Sequence, residues 1–304
     1  MSSAESYEIL PPTREGRVPF SDGETWYRIT GDLGSGVTPL VIAHGGPGAT
    51  HQYLLSLTAL AAGRPVIHYD QLGCGNSTHL PDADPSYWTV ELFLAELDNL
   101  LDHLGIADDY HLLGQSWGGM LSAEHAVRRP AGLRRLVISN SPASMPLWLE
   151  AAALLRAGLP AEVEETLREH EEAETTNSPE YAAAMKVFYD RHVCRVVPNP
   201  PEVAAAFASI DEDPTVYHTM NGPSEFHVVG SLMDWTIIDR LPLIAVPTLV
   251  VSGAYDEAQP VCVSPYAELI PDARWEVFAE SSHLPNVEEP ERYAAVVESF
   301  LRGG

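Results

Sequence analysis

A serine hydroxyl is a weak nucleophile at neutral pH, so a serine that does chemistry needs a base beside it and clear space around its oxygen. The segment Gly114-Gln115-Ser116-Trp117-Gly118-Gly119 offers that space. Small residues two positions before and two after Ser116 let a strand turn sharply into a helix without collision, which lifts the hydroxyl above the sheet. The bare pattern also arises by chance, but here a strand-like HLL precedes it and a helix-forming run follows. Ser116 is the expected nucleophile.

The base and the group that orients it should follow in the chain order Ser, Asp or Glu, His, each just past the end of a later strand. Asp256 comes directly after VVSG, and His283 lies in AESSHLP, ahead of the last helical segment. Of the 12 histidines, His44, His68 and His111 sit within or against strands and His103 and His125 on helices; only His283 has both the order and the loop position. The glycine loop HGGPG, residues 44–48, follows the strand PLVIA. Its backbone should present N–H groups to an oxyanion, with Trp117 and Gly46 as the expected donors, or Gly45 if the loop turns differently. Such donors contribute about 3 kcal/mol each to a transition state. A second glycine loop, DQLGCGNS at 70–77, lacks the spacing of a phosphate-binding loop and is expected to be a structural turn beneath the site. No ligand cluster of zinc spacing occurs, so neither a metal nor a cofactor is expected.

The elements that must position these residues are legible as β-branched runs bounded by turn residues: Thr25 to Thr30, Pro39 to Ala43, Pro65 to Tyr69, Tyr110 to Leu113 and Leu133 to Ser139. Val90, Phe93, Leu94, Leu97, Leu101 and Leu104 recur at helical spacing, with Thr89 to cap the start and Gly105 to end it. A further helix is expected from Gly118 to Arg129. This alternation predicts an α/β fold with a mostly parallel sheet covered on both faces. From Asn140 to about Asp239 the pattern turns to Ala-, Glu- and Leu-rich helices broken by prolines, and strands return at VPTLVVSG and from Arg274 to Phe278. The expected organisation is a discontinuous core of residues 1–139 and 240–304 with a helical cap at 140–239.

At 304 residues the chain can bury a large core without staples. Cys74, Cys194 and Cys262 are odd in number and widely spaced, which suggests no disulfide framework and fits a reducing cytoplasm. No apolar run approaches a membrane span, and the amino terminus has no signal-like pattern. The 17 Lys and Arg against 43 Asp and Glu give a formal charge of −26, which would repel nucleic acid and anionic lipid alike. Part of that excess, between Glu150 and Glu180, is expected to be a solvated helical face.

HGGPG, DQLGCGNS, GQSWGG, NGPSEF, AYDE and SSH, spread from residue 44 to 283, together closely resemble the proline iminopeptidase family, serine peptidases of the α/β-hydrolase fold with a helical cap. The resemblance places the triad on Ser116, Asp256 and His283, as the reading above does. It further implies that acidic residues bind the substrate's free α-ammonium: Glu225 in the cap motif and Glu257 directly after the aspartate. The implied reaction releases an N-terminal proline or other small apolar residue from a small peptide. An alternative with the same residues is removal of a small amino acid such as alanine from a non-peptide amide. Trp148, Phe188, Tyr189 and Phe207 are expected to pack between cap helices, and Trp235 is the favoured pocket residue.

Overall fold

The computed structural model describes residues 7–303; residues 1–6 and 304, at the outer ends of the two expected core segments, lie outside them. Its centre is an eight-stranded sheet in the order β1-β2-β4-β3-β5-β6-β7-β8. The strands are β1 Arg14–Phe20, β2 Gly23–Thr30, β3 Leu40–Ala43, β4 Val66–Asp70, β5 Tyr110–Gln115, β6 Leu133–Ser139, β7 Thr248–Gly253 and β8 Ala273–Phe278. From β4 through β8 neighbouring strands run parallel, while β1, β2 and β4 pair antiparallel. The buried runs LVIA, YHLLGQ and TLVVSG occupy the middle, as parallel strands covered on both faces must be apolar along their whole length. Strand β1 has no counterpart in the sequence reading. It is an edge strand with Val18 as its one fully buried residue, so its periodicity carries little signal.

Helix α1, Val90–Leu104, is capped as its sequence suggests. Thr89 Oγ1 accepts from Leu92 N at 3.1 Å, and Gly105 closes the helix at φ 68°. Helix α2, Trp117–Val127, starts directly after Ser116 and stops short of the expected Arg129. Arg129 instead takes φ 58° before Pro130, a residue that disfavours helix in its predecessor. Residues His51–Ala62 form a long 3-10 segment that the sequence reading did not anticipate.

Between β6 and β7 lie five helices: α3 Met145–Arg156, α4 Ala161–Glu172, α5 Pro179–His192, α6 Pro201–Glu212 and α7 Thr215–Met220. They bury a small cluster of their own, with Leu159, Leu167, Tyr181 and Phe188 packed on Phe226 from the following loop. The acidic run does more than face water. Arg156 is nearly buried, pairs with Glu164 and Glu171 at 2.9 Å each and lies 5.0 Å from the Phe226 ring. Helices α8 Pro260–Leu269, α9 Pro285–Glu288 and α10 Pro290–Leu301 complete the chain.

One buried carboxyl carries a pH signature. Glu96 on α1 accepts from Thr25 Oγ1 at 2.5 Å and Leu72 N at 2.8 Å through one oxygen, while the other has no partner. Burial, partly offset by these two bonds, pushes it from 4.5 up to about 8. The folded chain therefore holds a proton that the unfolded chain releases earlier, and the stability tied to it is lost as pH rises through that window. Glu96→Gln is expected to flatten this part of the decline, measured as urea midpoints between about pH 5 and about pH 8.

Candidate active site

Three strand ends converge on one point. Ser116 ends β5 at φ 56° and ψ −124°, a conformation that costs a non-glycine residue about 1–3 kcal/mol and persists only where the surroundings impose it. They do so here. A Cβ at Gly114 would collide with the Gly118 carbonyl, and one at Gly118 would collide with the Ala43 carbonyl. The glycines thus let β5, α2 and β3 close on each other, and Ser116 stands at the amino end of α2.

His283, after β8, points Nδ1 at Asp256 Oδ1, 2.7 Å away. Asp256, after β7, is fully buried with both oxygens engaged. Oδ1 also accepts from Ala258 N at 2.8 Å, and Oδ2 accepts from Asn140 Nδ2 at 2.6 Å. Asn140, just past β6, donates as well to Ser282 O at 3.2 Å and so joins the two loops that carry the pair. A donor at Nδ1 leaves Nε2 as a bare lone pair. Ser116, His283 and Gly46 line the same small cavity.

The glycine loop is held from both sides. The Gly45 N–H donates to Tyr53 Oη at 2.7 Å, Tyr53 donates to Gln115 Oε1 at 2.5 Å, and Gln115 Nε2 donates to His283 O at 3.1 Å. With the Gly45 amide engaged, Gly46 at φ 110° is the loop residue left beside Ser116 and Trp117. Beneath it, burial pushes His44 down to about 4. The neutral ring donates Nδ1–H to Gly45 O and accepts from Gln71 N. Gln71 also bonds His44 O and Trp117 Nε1, so the 70–77 loop braces the glycine loop against the start of α2.

Glu225 and Glu257 meet in the Ser116 cavity, one from the loop after α7 and the other from the loop after β7. Glu225 accepts from Tyr217 Oη at 2.6 Å. Glu257 is 2 % exposed, yet neither of its oxygens has a hydrogen-bond partner. Burial raises both carboxyls. For Glu225 the Tyr217 bond and nearby His283 pull the other way; for Glu257 the charges of Glu225 and Asp256 push further up. Of the two only Glu257 is without a donor, and a carboxyl so buried is costly to ionise unless a cation lies beside it.

Several neighbours were not singled out as site residues in the sequence. Tyr53, Asn140 and Tyr217 carry no local motif and become visible only through their bonds. Trp148 and Phe207 pack as expected but also reach the site. Trp148 donates to Glu225 O at 2.6 Å with its ring 6.0 Å from that of His283, and Phe207 lines the cavity. Phe188 packs as expected, 4.8 Å from Phe226. Tyr189 both packs and reaches the site, its hydroxyl accepting from Glu225 N at 3.4 Å. Trp235 is corrected: its Nε1–H goes to Glu124 at 2.9 Å, beside Arg240, and it does not line the Ser116 cavities.

Residues 38–290 match the family model of the α/β-hydrolase fold. The chain is 38 % identical to the proline iminopeptidase of Heyndrickxia coagulans over 287 residues, covering 94 % of this chain and 98 % of that protein. The corresponding figure is 36 % for the enzyme of Lactobacillus delbrueckii subsp. lactis, at 94 % and 97 % coverage. The chain belongs to the proline iminopeptidase family. Among solved structures it is similar to VinJ, with 59 % identity, TM-score 0.95 and 96 % and 99 % coverage. It is also similar to the proline iminopeptidase of Mycobacterium smegmatis, with 53 % identity, TM-score 0.88 and 95 % and 98 % coverage. Membership in this family makes the chain a hydrolytic enzyme of the α/β-hydrolase fold. Among the described residues no helix is long and apolar enough to cross a membrane.

Tyr53→Phe removes one hydroxyl and strands two buried partners, the Gly45 amide and the Gln115 carbonyl. It is expected to destabilise the fold by about 1–3 kcal/mol in urea unfolding. Because the glycine loop loses an anchor, kcat is expected to fall more than KM changes.

Proposed function

We propose that this enzyme is a serine aminopeptidase that releases an N-terminal amino acid, proline or another small apolar residue, from a small peptide or amide with a free amino group. The observation that carries the reading is the juxtaposition of the Ser116, His283 and Asp256 group with the unpartnered carboxylate of Glu257 beside Glu225. His283 Nε2 takes the Ser116 proton, the alkoxide attacks the carbonyl of the terminal residue, and Asp256 holds the imidazolium. The Gly46 and Trp117 N–H groups receive the oxyanion. His283 then returns its proton to the leaving amine, and water releases the acyl group by the same route. The reading requires neither a metal nor a cofactor.

The substrate's ammonium lies between Glu225 and Glu257. A blocked amine leaves both carboxylates buried against a neutral group, a penalty of several kcal/mol. The cavity that shares these residues is about 40 Å³, space for about three waters, which suits a proline ring or smaller side chain. In this reading residues 140–239 are a cap over a core of 1–139 and 240–304, and the cap supplies Glu225. Cys74, Cys194 and Cys262 are free and buried, which supports a cytoplasmic location.

A second reading concerns the leaving group. An outer cavity of about 270 Å³ between α5, α6 and α7 shares Phe207, Ile210 and Glu225 with the inner one, and Met185 and Tyr189 add to its apolar wall. The same wall carries Lys186, Asp190, Asp211 and His218, so a bulky amine with apolar and polar parts, and with it a non-peptide aminoacyl amide, fits as a substrate alongside peptides. Comparing kcat/KM for a dipeptide with that for an alkyl amide of the same amino acid separates the two.

Ser116→Ala is expected to lower turnover of a prolyl or alanyl nitroanilide by at least about 10⁴-fold with the melting temperature little changed. Acetylating the substrate amine is expected to lower kcat/KM by about 10³-fold, the equivalent of about 4 kcal/mol. Retained activity of Ser116→Ala, or equal rates on free and acetylated substrates, would refute the corresponding role.

A further inference from the structure

Glu257 adjoins the base as well as sharing a cavity with Glu225. Its Oε1 lies 3.7 Å from His283 Nε2, the nitrogen left bare by the Asp256 contact at Nδ1. Asp256, the residue before it, has donors on both oxygens, whereas Glu257 has none. The titratable groups around Glu257 are Asp256 on its own loop, Glu225, Tyr189 and His192 on α5, Tyr217 on α7, Cys262 on α8 and His283. All but the two histidines are acidic or neutral, and His192 meets Glu257 through its backbone, its carbonyl accepting from Glu257 N at 3.2 Å while its ring bonds Tyr255 O. Among the described residues, His283 is the one basic group that pairs with Glu257.

We propose that Glu257 couples occupancy of the ammonium site to the basicity of His283: in the empty site the two share one proton, and an incoming ammonium displaces it. The proposal rests on the amine-binding reading above and adds a consequence for the chemistry. Closing the 3.7 Å gap to hydrogen-bond length takes about 1 Å of side-chain movement. The shared proton sits either on Glu257, bonded to imidazole, or on His283, bonded to carboxylate. In both arrangements the Nε2 lone pair is occupied and cannot receive the Ser116 proton. An ammonium needs both carboxylates ionised, so its entry sends the shared proton to solvent and breaks only that O–H or N–H bond. His283 is left neutral, with its lone pair free for Ser116. Burial of Glu257, which disfavours a lone negative charge there, is consistent with a proton being retained until a cation arrives. A free amino terminus is then read twice, in affinity and in switching on the base.

The test uses a small alkyl fluorophosphonate, which reacts with Ser116 through His283 and has no amine. Its second-order labelling rate is measured against pH, with and without pyrrolidinium, a cation with the ring of proline but no carbonyl. In the wild-type enzyme pyrrolidinium is expected to accelerate labelling below the midpoint of the profile and to move that midpoint down. Glu257→Gln removes the carboxylate that favours imidazolium. It is expected to label about tenfold faster than wild type below the wild-type midpoint, a shift of about one pH unit, and to ignore pyrrolidinium. A Glu257→Gln profile that superimposes on the wild-type one overturns the coupling, provided a melting curve shows the variant folded. Preference for free over acetylated substrates is scored separately on the wild-type enzyme. If it persists while labelling ignores pyrrolidinium, the coupling fails and the amine site stands; if it is absent, the amine site fails.

Discussion

The geometry of the site hangs on the turn at Ser116. A serine held at positive φ is strained, and here the strain is imposed by backbone packing: Gly118 lies against the Ala43 carbonyl and Gly114 against Gly118. Three elements therefore meet with no side chain between them. Because β3 is one of the three, the glycine loop that continues it is brought to Ser116 by the same close approach. Gln115 and Tyr53 extend the constraint outward, one to the His283 loop and the other to Gly45. A loosened turn would displace the hydroxyl, the amide donors and the base together.

The two acidic residues in sequence, Asp256 and Glu257, show how environment rather than residue type sets a carboxylate's task. Asp256 is saturated with donors from Asn140, Ala258 and His283, so its charge is stabilised before any substrate arrives. Glu257, one residue on, is equally buried and receives none. A carboxylate ionised there without donors is costly by several kcal/mol. In the proposed function that cost is recovered when the substrate's ammonium binds, which gives this carboxylate a recognition role.

Much of the core was legible because its signals are local. Thr89 and Gly105 bracket α1 by capping chemistry, the central strands are continuous apolar runs, and the order of Ser116, Asp256 and His283 follows strand ends. Strand β1 was not legible, since an edge strand exposes most of its residues and leaves no clear alternation. The long 3-10 segment at His51–Ala62 has no strong periodicity to announce it. In the site, Asn140 and Tyr217 are distant in sequence from what they bond, and nothing near them hints at it. Trp235 misled because nearness in sequence to Glu225 does not survive the intervening turns at 225–226 and 231–234; its indole is claimed by Glu124.

The proposed amine site is divided between two parts of the chain, and this division has a consequence for specificity. Glu257 comes from a loop of the sheet, whereas Glu225 comes from the segment inserted between β6 and β7. Glu225 is held there by Trp148 at its carbonyl, Tyr189 at its amide and Tyr217 at its carboxylate. Phe226, next in sequence, is clamped under Arg156, which the acidic helix α4 neutralises. Two glutamates of an otherwise largely exposed acidic run thus help to anchor the neighbour of Glu225, the carboxylate proposed to meet the substrate. Since an ammonium loses its hydrogen bond to a carboxylate that moves away by an ångström or two, recognition of the amine in the proposed function requires the inserted helices to be seated on the sheet. In that reading ester or amide bonds lacking the amine gain nothing from the seating, and the nucleophile discriminates among acyl groups through a residue that never touches the bond being broken.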